Sequence, residues 1–243
     1  MRRILIYSLV LLASLAAGMQ LAQAGGQGYP GGAGQMPGGR GGMGQTGMGV
    51  PGDEAPSAPT PEKPEKLSKK AYAAGVKSLN KARENQEIAD KATNPDKKAA
   101  ALDKVSDAYG KALDQFTEAL ANKGDMVEAW SGAGYVHLQL GAYSEAIDDY
   151  NHTLALKSDL LEAVEHRAEA YVAVDRLDEA KAAYMDLFNH DRPLADQLMV
   201  SMQAWVARHR AASNGMRAAD IESFGKWVDE RDGIAKATAS IPH

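Results

Sequence analysis

Apolar positions in the second half of the chain recur every three or four residues, the spacing that gathers side chains on one face of an α-helix. Trp130, Ala133, Gly134, His137 and Leu138 share one such face, and Ala146, Ile147, Tyr150 and Leu154 share the next. Gly141 stands between them as a helix stop, and Ser144 and Asp178 are placed to cap or open the helices that follow. The pattern then repeats. Ala112, Ala146 and Ala180 are 34 residues apart, as are Phe116, Tyr150 and Tyr184, and Leu120, Leu154 and Phe188. Upstream, Glu128 pairs with Glu162, Ala129 with Ala163 and Gly134 with Ala168 at the same step. A fixed period built from two short helices predicts antiparallel helix pairs, each stacked on its neighbour. Gly134 and Ala168, with Ala146 and Ala180 opposite, let paired helices approach closely. Tyr150 and Tyr184 are expected to fill the wedge between successive pairs.

The first unit is irregular. Tyr109, Ala112, Leu113, Phe116 and Leu120 fit a second helix, and Ala71, Ala74, Gly75, Val76 and Leu79 within 67–91 fit its partner. Residues 83–98 between them are too long for an ordinary turn, so both helices should run on and join near Asn94-Pro95. After Pro193, a helix over 194–210 places Leu198, Met202, Trp205 and Val206 on one face. Ser213-Asn214-Gly215 reads as a turn, and 218–236 as a last helix bearing Ile221, Phe224, Trp227, Val228 and Ile234. Stacked repeats leave an apolar end that terminal helices must cover. The expected organisation is an irregular hairpin over 67–124, two repeats over 125–193 and capping helices over 194–243.

What precedes residue 67 has a different character. Met1-Arg2-Arg3 is followed by an apolar run to Ala17 and by Ala22-Gln23-Ala24. That order describes a secretory signal peptide over 1–24, cleaved before Gly25, and a chain exported to a periplasm or beyond. The apolar run is too short to span a bilayer, so no transmembrane segment is expected in the mature chain. Residues 25–52 hold 14 of the 24 glycines, and five prolines follow between 51 and 64. Such a stretch has almost nothing apolar to offset the entropy of ordering it, and 25–66 reads as a disordered Gly/Met, then Pro/Lys/Glu linker. Met36, Met43 and Met48 lie within it, and thioethers can bind Cu(I).

Composition narrows the function mainly by exclusion. There is no cysteine, which removes disulfides, thiolate metal sites and cysteine nucleophiles. Loss of Arg2 and Arg3 with the leader leaves 25 basic against 32 acidic side chains, a net charge of −7. A mildly acidic body is a poor partner for nucleic acid, which needs a concentrated basic face. The six histidines are scattered, with no helical-spacing ligand pair of metal-site type. No phosphate-cradling glycine loop or serine elbow is present. No catalytic residue, cofactor or structural metal is implied.

Ala129-Trp130, Ala133-Gly134-Tyr135, Gly141, Tyr143, Glu145-Ala146-Ile147, Tyr150 and Leu154 together resemble the tetratricopeptide repeat family, and Ala163, Ala168, Tyr171, Leu177, Glu179-Ala180 and Tyr184 carry the pattern again. Departures are Ala133 in place of a larger aliphatic residue, His137 in place of an aromatic, and Ser158 and Arg192 in place of a closing proline. The resemblance implies an all-α helical-hairpin solenoid whose first helices line a concave groove for an extended peptide or a partner helix. On this chain the implied stripes are Glu128, Ser131, Tyr135 and Leu138, then Glu162, Glu165, Glu169 and Val172. The glutamates disfavour the branch of the family that grips C-terminal carboxylates through basic residues.

The leading expectation is therefore a non-enzymatic, exported scaffold that binds another protein through a segment with an apolar stretch followed by a basic one. Two alternatives stand beside it: copper handling through the methionine-bearing tail, and permanent membership of an envelope assembly.

Overall fold

The structure is a computed structural model describing residues 63–211 and 218–238. The whole leader, the linker up to residue 62 with its three methionines, and the turn at Ser213-Asn214-Gly215 lie outside the described residues.

Among the described residues all regular structure is helical, in eight helices that pack in chain order. Helix α1 spans Pro64–Lys91 and α2 Pro95–Asn122; α3 Val127–Leu140 and α4 Tyr143–Leu156 form the next pair. Helix α5 Leu161–Ala173 and α6 Leu177–His190 form the third, followed by α7 Arg192–Ala211 and α8 Ala218–Thr238. The first hairpin has the long arms expected of it. Both helices run for 28 residues. Asn94 caps α2 by accepting a hydrogen bond from the Lys97 amide at 3.0 Å, and Pro95 follows at the first helical position. Helix α1 begins three residues before the expected boundary of 67. Pro64 supplies a pre-set first turn, and the Glu65–Lys69 pair at 2.8 Å supports it from the next.

The turns inside the two 34-residue periods are alike. Gly141 adopts φ 76°, and the following amide, Ala142, donates to the His137 carbonyl at 2.9 Å. One period later Asp175 adopts φ 62°, and Arg176 donates to the Tyr171 carbonyl at 2.9 Å. These left-handed residues end α3 and α5. The capping role expected of Ser144 and Asp178 is not observed. Both lie one residue inside their helices, where Ala142 and Arg176 hold the cap positions without a side-chain bond. The backbone turn has already fixed the helix entry there.

Asp175 is an unusual choice for φ > 0, and its side chain explains it. Its carboxylate accepts the Trp205 indole N–H at 2.8 Å, and His209 Nε2 lies 3.6 Å from the same oxygen. Trp205 is fully buried, stacked on His209 at 3.9 Å and edge-on to Phe224. Asp175 thus pins α7 to the turn that ends α5. Asp175→Ala would keep the backbone strain and orphan the indole, at about 2 kcal/mol in all. Asp175→Asn, which tolerates the left-handed region and keeps an acceptor, should cost well under half of that. Urea unfolding of the two variants checks this, and equal losses would show that the indole bond contributes nothing.

Two of the positions that recur at the 34-residue step lie fully in the core. Ala112, Ala146 and Ala180 are fully buried, as are Phe116, Tyr150 and Tyr184. Leu198, Met202 and Val206 continue the core into α7, and Ile221, Phe224 and Val228 of α8 close it. Trp227 of α8 lies edge-on to Tyr184, and Arg192 of α7 donates to the Ala235 carbonyl and the Thr238 hydroxyl. No described helix is long and apolar enough to cross a membrane.

Candidate functional site

The first helices of successive pairs stand side by side, with α1 touching α3, α3 touching α5 and α5 touching α7. A groove between α1, α3 and α5 holds a cavity of about 400 Å³. Tyr72, Val76, Leu79 and Arg83, at alternating spacings of four and three, bring one face of α1 to it. Glu128, Ser131, Gly132 and Tyr135 bring the facing side of α3, and Phe116 and Tyr150 from the second helices form part of the floor. Lys157, Leu160 and His166 complete it on the side of α5.

The eight residues of the sequence stripes divide. Glu128, Ser131 and Tyr135 line the cavity together. Glu162 is exposed on α5 outside it. Leu138, Glu165 and Val172 are buried, at 9%, 3% and 3% exposure, and so are not contact surface for a partner in this structure. Glu169 is half-buried, and its carboxylate accepts the Ser201 hydroxyl of α7 at 2.8 Å. Helical spacing alone does not separate the open face of a first helix from the seam where the next first helix packs against it. Of the stripe residues, Leu138 on α3 and Glu165 and Val172 on α5 are the buried ones.

The structure adds residues that the stripes omit. Arg83 lies over the Tyr135 ring, 5.4 Å from its centroid. His166 stacks on Tyr150 at 5.8 Å and meets Tyr135 edge-on at 5.7 Å. Tyr72, whose hydroxyl feels burial first and Glu128 second, has its pKa raised. The α1 face could have been read from the Tyr72, Val76 and Leu79 spacing; His166 stands off the stripe and gave no signal.

Electrostatically, the α5 side is distinctive. Burial, reinforced by the neighbouring Glu169 charge, pushes the Glu165 carboxyl up to about 9. Its oxygen is 3.7 Å from His166 Nε2. This contact is no ion pair at neutral pH, because desolvation lowers the His166 pKa even though a third of that side chain reaches the groove. The Tyr150 hydroxyl is fully buried and has no hydrogen-bond partner. Burial raises its pKa well above the usual value, with the Glu169 and Glu165 charges the next causes.

Elsewhere, His137 fills the inward position of α3 by pairing its Nδ1 with Asp149 Oδ2 of α4 at 2.6 Å. The pair is packed between helices of one hairpin, and burial raises the Asp149 pKa despite it. Among the described residues no three His, Asp or Glu side chains gather as a metal site would require. No family model matches the chain, and no curated protein matches it.

Proposed function

We propose that the chain is a tetratricopeptide-type scaffold that binds an extended or helical segment of another protein in the groove between α1, α3 and α5. One observation carries this reading. The cavity sets an apolar floor of Tyr72, Val76, Leu79, Phe116 and Tyr135 beneath a rim charged by Arg83, Glu128 and Lys157. Its size is that of a small-ligand site, but it is an open trough between parallel helices, so a side chain can enter while its backbone runs along the groove. The rigid rings of Tyr72 and Tyr135 offer contact area at small entropic cost, as residues that dominate binding energies do. The envelope location rests on residues 1–24 and the family reading on the 34-residue period.

Site-specific photo-crosslinking in the source cells tests it. A photoreactive amino acid at Ser131 should trap a defined partner protein, whereas one at Asp186, exposed on α6 away from the groove, should not. Once that partner is identified, Tyr135→Ala should speed its dissociation from the uncrosslinked complex about tenfold or more. Equal trapping from both positions, or trapping from Asp186 alone, moves the site off the groove.

A further inference from the structure

The flank of α1 that turns away from the groove carries Lys70, Lys77 and Lys81, and the matching flank of α2 carries Lys97, Lys104 and Lys111. Helical spacing puts them there. On α1, Ala71, Gly75 and Ala82 are buried in the seam with α2, and Tyr72, Val76 and Arg83 turn to the groove, so the lysines take the remaining side. On α2, Val105, Ala108 and Ala112 are buried in the same seam, while Tyr109 and Leu113 pack with Ala133 and Val136 of α3. That leaves 97, 104 and 111, which recur every seven residues, on the outer side as well. All six lysines are exposed. Lys69 and Lys91 have carboxylate partners in Glu65 and Glu87, but none of these six has one among the described residues. Glu84, Asp107 and Glu118 share the flank and leave lysine in excess.

Charge is divided along the whole chain in the same sense. Residues 63–123 hold 13 lysines and arginines against 9 acids, a balance of +4. Residues 124–243 hold 11 against 20, a balance of −9. One end face of an acidic stack is therefore basic.

We propose that this end face of the first hairpin docks on a bilayer surface that contains anionic phospholipid. The two rows of lysines lie on a broad face with no aromatic ring among them to anchor a single protein partner. Lysine is a hydrated point charge that suits a diffuse field of headgroups, whereas a defined carboxylate is better matched by the planar fork of arginine. Ile88, 57% exposed on the same flank near the hairpin tip, offers an apolar contact at headgroup depth. The apolar seam of α1 is used up against α2, so the helix does not insert and attachment is electrostatic and reversible. Repulsion turns the −9 remainder away from the surface. The groove lies on the opposite flank of α1, so this docking surface is independent of the groove reading.

The test uses the chain as the source cells accumulate it, sedimented with vesicles of phosphatidylcholine alone or with about 30% phosphatidylglycerol. At about 50 mM salt the anionic vesicles should bind it at least tenfold more tightly than the neutral ones. About 0.5 M salt should release it, because exposed charges are then screened within a few ångströms. A lysine close to an anionic surface contributes about fivefold in affinity. Lys77→Gln with Lys111→Gln should thus weaken binding at least tenfold, with the fold confirmed by circular dichroism. Lys226→Gln with Lys236→Gln, the same loss of charge on α8, should change it less than threefold. The proposal is overturned if neutral vesicles bind as well as anionic ones, if anionic vesicles fail to bind at about 1 mM lipid, or if the two pairs of substitutions have equal effects. Tighter binding to polyglutamate or to a DNA duplex than to the anionic vesicles would also overturn it, by making the face a site for an acidic protein or a nucleic acid.

Discussion

Phe116→Ala should cost about 3–5 kcal/mol of folding free energy, the loss expected when a fully buried aromatic leaves a cavity behind. The reverse manipulation should be unfavourable too. Phe116 of α2 is clamped between α1 and α3: a Cβ on Gly75 would come within 2.6 Å of its Cε1, and one on Gly132 within 2.7 Å of its Cζ. Glycine to alanine in a helix interior normally stabilises by about 0.5–1 kcal/mol. At Gly132 the clash with a ring already held from the opposite side by Gly75 should reverse the sign, for a net loss of about 1–3 kcal/mol. The two effects are coupled through one ring. Gly132→Ala combined with Phe116→Leu should therefore lose less than the sum of the single variants, since the smaller side chain makes room for the new methyl. Urea denaturation of the three variants measures this directly. A stabilising Gly132→Ala would mean that the ring can move aside and that the clamp does not exist.

Glu165→Gln should make the protein more stable at pH 8 and leave it unchanged near pH 4.5. The folded Glu165 carboxyl titrates at about 9, against an ordinary value of 4.5. Between those values the folded chain holds a proton that the unfolded chain has released, so this group's contribution is most favourable below about 4.5 and declines as pH rises through 9. Glutamine imitates the protonated acid and has nothing to lose. The variant should gain on the order of 5 kcal/mol over the natural chain at pH 8, about 1.4 kcal/mol for each pH unit above 4.5. It should also show a flatter profile of thermal midpoint against pH. Asp149, raised in the same direction by burial, contributes a slope of the same sign to both proteins, so the difference between them isolates Glu165. Parallel profiles would show that the carboxyl reaches water in the folded state.

The helices, their order and most of the core were legible because each is a local, periodic property. Ala112, Ala146 and Ala180 announce a close crossing wherever they recur, and Phe116, Tyr150 and Tyr184 announce the wedge that it leaves. Even the long first hairpin could be read, since Asn94-Pro95 carries both a cap and a start. The site was legible only in part, because it is a property of neighbours distant in sequence. Glu128, Ser131 and Tyr135 share a face by spacing, but whether that face is open depends on where α1 and α5 lie. Glu165 and Val172 obey the same spacing and are buried. Gly132 was invisible for the same reason. What requires it is a ring on α2, sixteen residues earlier. Asp175 stands where the preceding period has Gly141, and only the indole on α7 shows why an aspartate can hold that place.

The three-residue turn between two 28-residue arms sets the order in which this chain can assemble. Closing so short a loop takes little time, and α1 and α2 then zip along each other without waiting for any residue beyond 122. Every later helix also packs chiefly on its sequence neighbours, which keeps contact order low and folding fast. In a chain that emerges N-terminus first, the first hairpin can form before Trp205 is present. The growing stack then adds one pair at a time, each offering an apolar edge to the next, until α8 arrives to end the series.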